Sequence, residues 1–270
     1  FMTHATSHRL VGVGTGIFST MLVQSSSIIT VMLVGFVSTA LMTLPQAINV
    51  LIGANIGTTA TVWIIAYAPN PQALGFVGIA LGGALYFFLR GERVHNLGLT
   101  VIGLGLVFLG LYFMSKGVAP IKQNPDFAHI FTTMSAQHIG GVVKIAVAAT
   151  LLTAVIQSSA ATIAIAMALA QQGLITYDVA IAVLFGANIG TTATGWIAAI
   201  GGTADAKRTA LSHTLSNMAG SVVLVPFFYV FFVKVGPWLF PNYADPETIV
   251  VSGQSVQAYT HMMAPIAVTD

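Results

Sequence analysis

The nine letters GANIGTTAT occur at residues 53–61 and return at 186–194. A second pair of words, QSSS at 24–27 and QSSA at 157–160, stands at a fixed distance upstream. The step from 24 to 157 equals the step from 53 to 186. Sliding 14–66 over 147–199 also aligns Thr20 with Thr153, Leu41 with Leu174 and Thr43 with Thr176, and no gap is needed. Solenoid units run to about 20–50 residues, so this period is too long for one and marks a duplicated half. The chain is thereby held to two halves that fold alike, and to some fixed relation between them.

The solvent for those halves follows from charge. Only 6% of the 270 residues are charged and 56% are hydrophobic, with a mean hydropathy of +0.89. A soluble domain carries about 25% charged residues. Runs such as ALGFVGIALGGALYFFL (73–89) and LGLTVIGLGLVFLGLYFM (97–114) approach the roughly 17–25 residues that span a bilayer as helix. The pattern predicts an all-α polytopic membrane protein in the lipid bilayer. A β-barrel would alternate in polarity over segments of about ten residues, and no such segment is present. The net charge of +2 comes from cations scattered at loop positions, which report membrane topology rather than a nucleic-acid surface. Absence of cysteine removes disulfides, iron–sulfur clusters and thiolate zinc sites. The chain opens on FMTH and closes on APIAVTD without a recognisable signal segment, which suggests a portion of something longer.

Each half reads as two short apolar arms joined by the Gln-Ser-Ser word (10–23 and 28–41; 141–156 and 161–173), followed by a helix through GANIGTT (44–68; 177–200). Arms of about fourteen residues reach roughly 21 Å at about 1.5 Å per residue, so the pair predicts a re-entrant hairpin. Two glycines flanking Asn and followed by Thr make poor helix, which predicts a transmembrane helix broken at each GANIGTT. The organisation is therefore repeat 1 at 10–68, connecting helices at 73–114, an inter-repeat loop at 115–140, repeat 2 at 141–201, a further span at 209–233 and an unassigned segment at 234–270. Three crossings separate the two hairpins, an odd number, so the repeats are predicted to be inverted, an architecture of secondary transporters. Arg9, Arg90, Arg93, Lys207 and Arg208 fall on one side against Lys116, Lys122, Lys144 and Lys234 on the other. That difference gives the first side a slim preference as cytoplasmic.

Irregular backbone survives in hydrocarbon only where it lines a cavity or is buried in protein. Helix N-termini offer bare N–H groups and partial positive charge to an anion. Ser25, Ser26, Ser27, Ser158, Ser159, Thr58, Thr59, Thr191 and Thr192 add hydroxyls, and Gln24, Gln157, Asn55 and Asn188 add amides; each can donate or accept. Such neutral donors can wrap a tetrahedral oxyanion, and their oxygens suit a small hard cation.

Paired QSSS words, each followed by NIGTT, resemble the type II sodium–phosphate cotransporter family and its bacterial relatives over residues 10–233. The resemblance implies sodium-coupled transport of inorganic phosphate by alternating access, in a multi-pass bacterial inner-membrane protein with no cofactor beyond sodium as the coupling ion. It puts the phosphate site on Gln24, Ser25, Ser26, Ser27, Gln157, Ser158 and Ser159, with Asn55, Asn188, Thr58 and Thr191 beside them. Sodium would be held through Ser25, Ser158, Thr59, Thr192, Gln24 and Gln157. One departure stands out: Ala160 occupies the place of the third serine, so the half-sites are chemically unequal. ALSHTLSN (210–217) and Pro226 are similar to the family's segment after the second repeat. A homodimer is a candidate assembly, and no nucleic-acid partner is expected.

Each feature also has a plainer explanation. Gly53 with Gly57, and Gly186 with Gly190, form GxxxG pairs that ordinarily pack helices, as do the glycines of 12–16 and 103–110. Their duplication with Asn and Thr favours a break over packing. Serines in apolar helices bond back to the preceding turn. Lys144 reads as a snorkelling side chain, Trp63 and Trp196 as packing or interface anchors. His213 and His261 read as structural hydrogen-bonding groups rather than proton couplers. Rival functions are carriage of another oxyanion, proton coupling, phosphate export, a passive channel, and a membrane serine hydrolase. The last needs a base beside Ser25 or Ser158, and neither phrase contains one, so no enzyme is expected.

Overall fold

The computed structural model of the chain describes residues 8–67, 70–118, 136, 138–171, 174–234, 247–251 and 254–258. His261, and the inter-repeat loop apart from its two ends and positions 136 and 138, lie outside these. The first half consists of α1 (Arg9–Val23), α2 (Ser26–Ser38) and α3 (Leu44–Tyr67). Two connecting helices follow, α4 (Pro71–Phe88) and α5 (Glu92–Val118). The second half is α6 (Ile139–Ile156), α7 (Ser159–Gln171), α8 (Tyr177–Thr191) and α9 (Ala193–Ala198), and α10 (Ala204–Lys234) completes the helices among the described residues. A two-stranded antiparallel hairpin, β1 (Glu247–Val251) with β2 (Gln254–Ala258), pairs Ile249 with Val256 in the C-terminal segment that the sequence pattern leaves unassigned.

Both arms of each hairpin turn at the glutamine. Gln24 adopts φ 56°, ψ 24° and Gln157 φ 60°, ψ 24°, the left-handed region that costs a side-chain-bearing residue about 1–2 kcal/mol. Each glutamine N–H closes the preceding helix, onto Thr20 O at 2.7 Å and Thr153 O at 2.6 Å. The next residue caps the following helix: Ser25 Oγ accepts from Ile28 N at 3.3 Å, and Ser158 Oγ from Ala161 N at 3.2 Å. Sequence repetition has become geometric repetition, residue for residue.

The expected break at GANIGTT is corrected by the structure. In the first half, α3 runs unbroken through Gly53–Thr59 over 24 residues. In the second, α8 and α9 are separated only at Thr192, whose φ −66°, ψ −19° is still right-handed helical. The glycines serve close packing instead. A Cβ on Gly53 would lie 2.0 Å from Val13 O, and one on Gly186 would lie 2.1 Å from Ala146 O, the equivalent atom of the second copy. Gly57 and Gly190 likewise meet Ile17 O and Thr150 O, at 2.8 and 2.5 Å. Glycine lowers helix propensity by about 1 kcal/mol, but here it lets two backbones approach, and tertiary contact outweighs propensity. The threonines conform by bonding back within the helix: Thr58 to Ala54 O, Thr59 to Ile56 O, Thr191 to Ala187 O and Thr192 to Ile189 O.

Helix contacts then repeat between halves. α1 packs on α3 as α6 packs on α8, and α2 on α3 as α7 on α8. Between halves the contacts are reciprocal: α2 packs on α9, while α7 packs on α3, where Val62 is fully buried and Trp63 joins the same cluster. α10 lies across α2, α3, α8 and α9, and the Trp196 indole N–H donates to Thr214 Oγ1 on it at 2.9 Å. α4 and α5 pack mainly on each other through Gly75, Gly82, Gly98 and Gly105. Among the described residues, four stretches are long and apolar enough to cross a membrane: Pro71–Phe88, Glu92–Met114, Ile139–Ile156 and Tyr177–Ala198.

Candidate functional site

The two hairpin tips meet. Ser27 Oγ donates to Gln157 O at 3.3 Å, joining one tip to the other. The matching residue in the second half is Ala160, which has no hydroxyl to return the bond. The third serine is thus a tie between tips, and its loss from the second copy makes the tie one-sided.

Beside this junction lies a cavity of about 380 Å³. Its lining contains three pairs related by the repeat offset: Ser26 and Ser159, Asn55 and Asn188, Thr58 and Thr191. Ser26 and Ser159 are buried first-turn residues of α2 and α7. The first N–H groups of a helix have no acceptor within it, so both helices bring unspent donors and the positive ends of their dipoles to this region. Asn55 is the twelfth of 24 residues in α3, and Asn188 the twelfth of the 22 in Tyr177–Ala198. The cavity therefore sits midway along both long helices.

Not every expected site residue reaches the lining. Thr59 does; Thr192 is buried next to Thr191 in sequence but does not line the cavity. Ser25 and Ser158 accept as caps and keep their O–H groups, Ser27 donates as the tie, and none of the three is among the lining residues. Gln24 and Gln157 are exposed at the tips, where their backbones make the turns, and Gln24 Nε2 donates to Met21 O.

A third wall is absent from the expected site. α10 contributes His213, Ser216, Asn217, Gly220 and Ser221 to the lining. Asn55 Nδ2 donates to Asn217 Oδ1 at 2.7 Å, and Asn217 Nδ2 donates to Asn188 O at 2.8 Å. Asn217 thus bridges the two GANIGTT copies. His213, only 1% exposed, places Nε2 3.2 Å from Asn55 Oδ1, so it is hydrogen-bonded as expected, though inside the site. The sequence does carry a signal for this wall: positions 213, 216, 217, 220 and 221 fall at helical spacing and hold small and polar residues.

A duplicated, uncharged donor site at a helix-tip junction matches the resemblance, and comparison with known proteins decides it. The model of the Na+/Pi-cotransporter family matches residues 1–116 and 123–239. The chain belongs to the Na+/Pi-cotransporter family. YqeW of Bacillus subtilis (strain 168), whose name carries no function, is 32% identical over 228 residues, covering 82% of this chain and 70% of the relative. A protein named for inorganic phosphate export, YjbB of Escherichia coli (strain K12), is 29% identical over 231 residues, 84% of this chain and 41% of the relative. Human sodium-dependent phosphate transport protein 2B is 47% identical over 60 residues, 22% of this chain and 9% of the relative. The chain thus spans less than half the length of these two phosphate-named relatives. No solved structure matches it. Family membership and the four apolar spans make this Na+/Pi-cotransporter-family chain a multi-pass membrane protein of a phosphate-transporter family.

Proposed function

We propose that this chain carries inorganic phosphate across the membrane by sodium-coupled alternating access, with the anion held in the central cavity. The observation that carries the reading is the set of three equivalent pairs, Ser26/Ser159, Asn55/Asn188 and Thr58/Thr191, lining one cavity. Two converging helix starts with hydroxyl and amide donors suit an oxyanion. Among the described residues the lining holds no lysine or arginine, so the anion binds without being trapped. The Ser25, Ser27 and Ser158 hydroxyls, already engaged, and Gln24 and Gln157 at the turns act on this site by shaping the tips. Sodium is assigned to the oxygens of the same neighbourhood, including Thr59 and Thr192, whose hydroxyls donate to their own helices and keep lone pairs for a hard cation.

The proposed architecture is a pair of inverted repeats with re-entrant tips. Three observations support it: the reciprocal packing of α2 on α9 and α7 on α3, the short α2 and α7 of 13 residues each, and a tip junction level with the middle of α3 and of α8–α9. Helices of that length reach about 20 Å, short of a roughly 30 Å hydrocarbon core. α6, with 18 residues, is longer and would extend beyond the membrane boundary. Alternating access then consists of one half rocking against the other about the shared cavity.

A serine-hydrolase reading lacks a base: among the described residues the ionisable side chain in the lining is His213, which is bonded to Asn55 rather than to Ser26 or Ser159. Net export, favoured by the YjbB name, uses the same cavity and differs in the driving gradient. The test is uptake of radiolabelled phosphate into proteoliposomes with sodium outside or replaced by choline. Uptake that collapses in choline is expected; uptake indifferent to the replacement would defeat sodium coupling.

A further inference from the structure

The polar chain from α10 into both halves has a fixed direction. Asn188 O is a main-chain carbonyl and can only accept, so the Asn217 atom 2.8 Å away is the amide nitrogen. Asn217 Oδ1 therefore faces Asn55, and the Asn55 atom at 2.7 Å must be Nδ2. Asn55 Oδ1 is left facing the His213 ring at 3.2 Å, which requires the proton to sit on Nε2. His213 Nδ1 is buried without a partner among the described residues; on a neutral ring it then carries a lone pair rather than an orphaned N–H, the rarer defect in folded proteins. One carbonyl of the second half thus sets, through two amides, the tautomer of a histidine on α10.

We infer that His213 is a positioning residue for phosphate: its Nε2–H closes the relay that Asn188 O begins and satisfies Asn55 Oδ1, so that the Asn55 and Asn217 amides each leave one N–H, and not a carbonyl oxygen, for the cargo. This rests on the reading that the cavity holds phosphate. An unpinned amide can turn either end to the cavity at almost no steric cost, and its oxygen would repel an anion. Pinning both amides makes the seam between α3 and α10 donor-rich, which selects an oxyanion over a cation. Each Asn amide has two N–H groups and the relay consumes one. Ser26 and Ser159 remain ambivalent hydroxyls, while Thr58, Thr59 and Thr191 commit their protons to Ala54 O, Ile56 O and Ala187 O, so the relay amides are the oriented side-chain N–H donors of the described lining.

Two measurements on the full chain test this. The first is nitrogen-15 magnetic resonance of histidine-labelled wild-type protein, with the His213 signals assigned by their loss in His213→Gln. Protonated Nε2 and bare Nδ1 are expected; the opposite tautomer or an imidazolium would overturn the relay. The second is phosphate uptake in proteoliposomes. His213→Leu should raise KM about tenfold, the scale of one oriented hydrogen bond, while His213→Gln, whose amide can donate to Asn55 Oδ1, should stay within about twofold. Equal losses in both variants, or an unmoved KM with lower turnover, would overturn the positioning role. A wild-type protein that carries no phosphate would overturn the transport reading and the cargo half of this inference, while the nitrogen spectrum still decides the relay.

Discussion

Adding one methyl group at Gly53 should loosen the whole first half. The Cβ of Gly53→Ala would lie 2.0 Å from Val13 O and 2.9 Å from Ile17 N, both backbone atoms, whereas real Cβ atoms stay beyond 3.0 Å of their neighbours. No flexible side chain can yield, so α1 must retreat from α3 by about 1 Å to restore the ordinary contact distance, an overpacking that costs about 1–3 kcal/mol. Alanine also improves helix propensity by about 1 kcal/mol, so the fair comparison is Gly103→Ala on α5, which gains the same propensity and meets none of the described atoms within 4 Å. The difference between the two variants isolates the clash. Gly53→Ala should therefore be less stable than Gly103→Ala by about 1–3 kcal/mol, with Gly186→Ala, at 2.1 Å from Ala146 O, behaving alike. Thermal unfolding in detergent, followed by size-exclusion of the surviving fraction, reads this. A Gly53→Ala protein that melts with or above Gly103→Ala would refute packing as the role of these glycines and return the helix-break explanation.

Three further outcomes are expected. Ser26→Ala and Ser159→Ala should each cut phosphate uptake at low concentration by about tenfold, the loss of one charge-assisted hydrogen bond, while Ser19→Ala, on α1 and outside the lining, stays within about twofold; similar effects from all three would count against the assignment. Thr20→Val should raise the melting temperature, because its buried hydroxyl has no partner among the described residues, whereas Thr153→Val should lower it by breaking the 2.9 Å bond to Thr162 Oγ1; changes of the same sign would contradict the difference drawn between the halves. Gln24→Gly should hold or gain stability by about 1 kcal/mol through relief of the left-handed backbone and Gln24→Val should lose it, measured by thermal unfolding; a destabilised glycine variant would show that the side chain, not the backbone angle, makes the tip.

Much of the site was legible because duplication writes geometry into spacing. The constant offset linked Ser26 to Ser159 and Asn55 to Asn188, and these pairs face one cavity. The hairpin turns were legible because two short apolar arms meet at the polar Gln-Ser-Ser word; that its first serine caps the next helix is visible only in the structure. Gly53 and Gly186 were misleading, since a sequence cannot say whether a glycine frees the backbone or admits a neighbour; Val13 O and Ala146 O, at the same place in each half, decide it. α10 was harder still, because it lies outside both repeats and so has no second copy to draw the eye. His213 and Asn217 gained their meaning only when Asn55 and Asn188 O came within hydrogen-bonding distance.

The most direct measurement is a structure of the protein determined with phosphate and sodium bound in lipid. The central cavity should then hold a tetrahedral density within hydrogen-bonding distance of both Ser26 Oγ and Ser159 Oγ, with the Asn217 bridge to Asn55 at its side. A phosphate held by one half alone, or seated at the membrane surface away from the tip junction, would contradict the shared site.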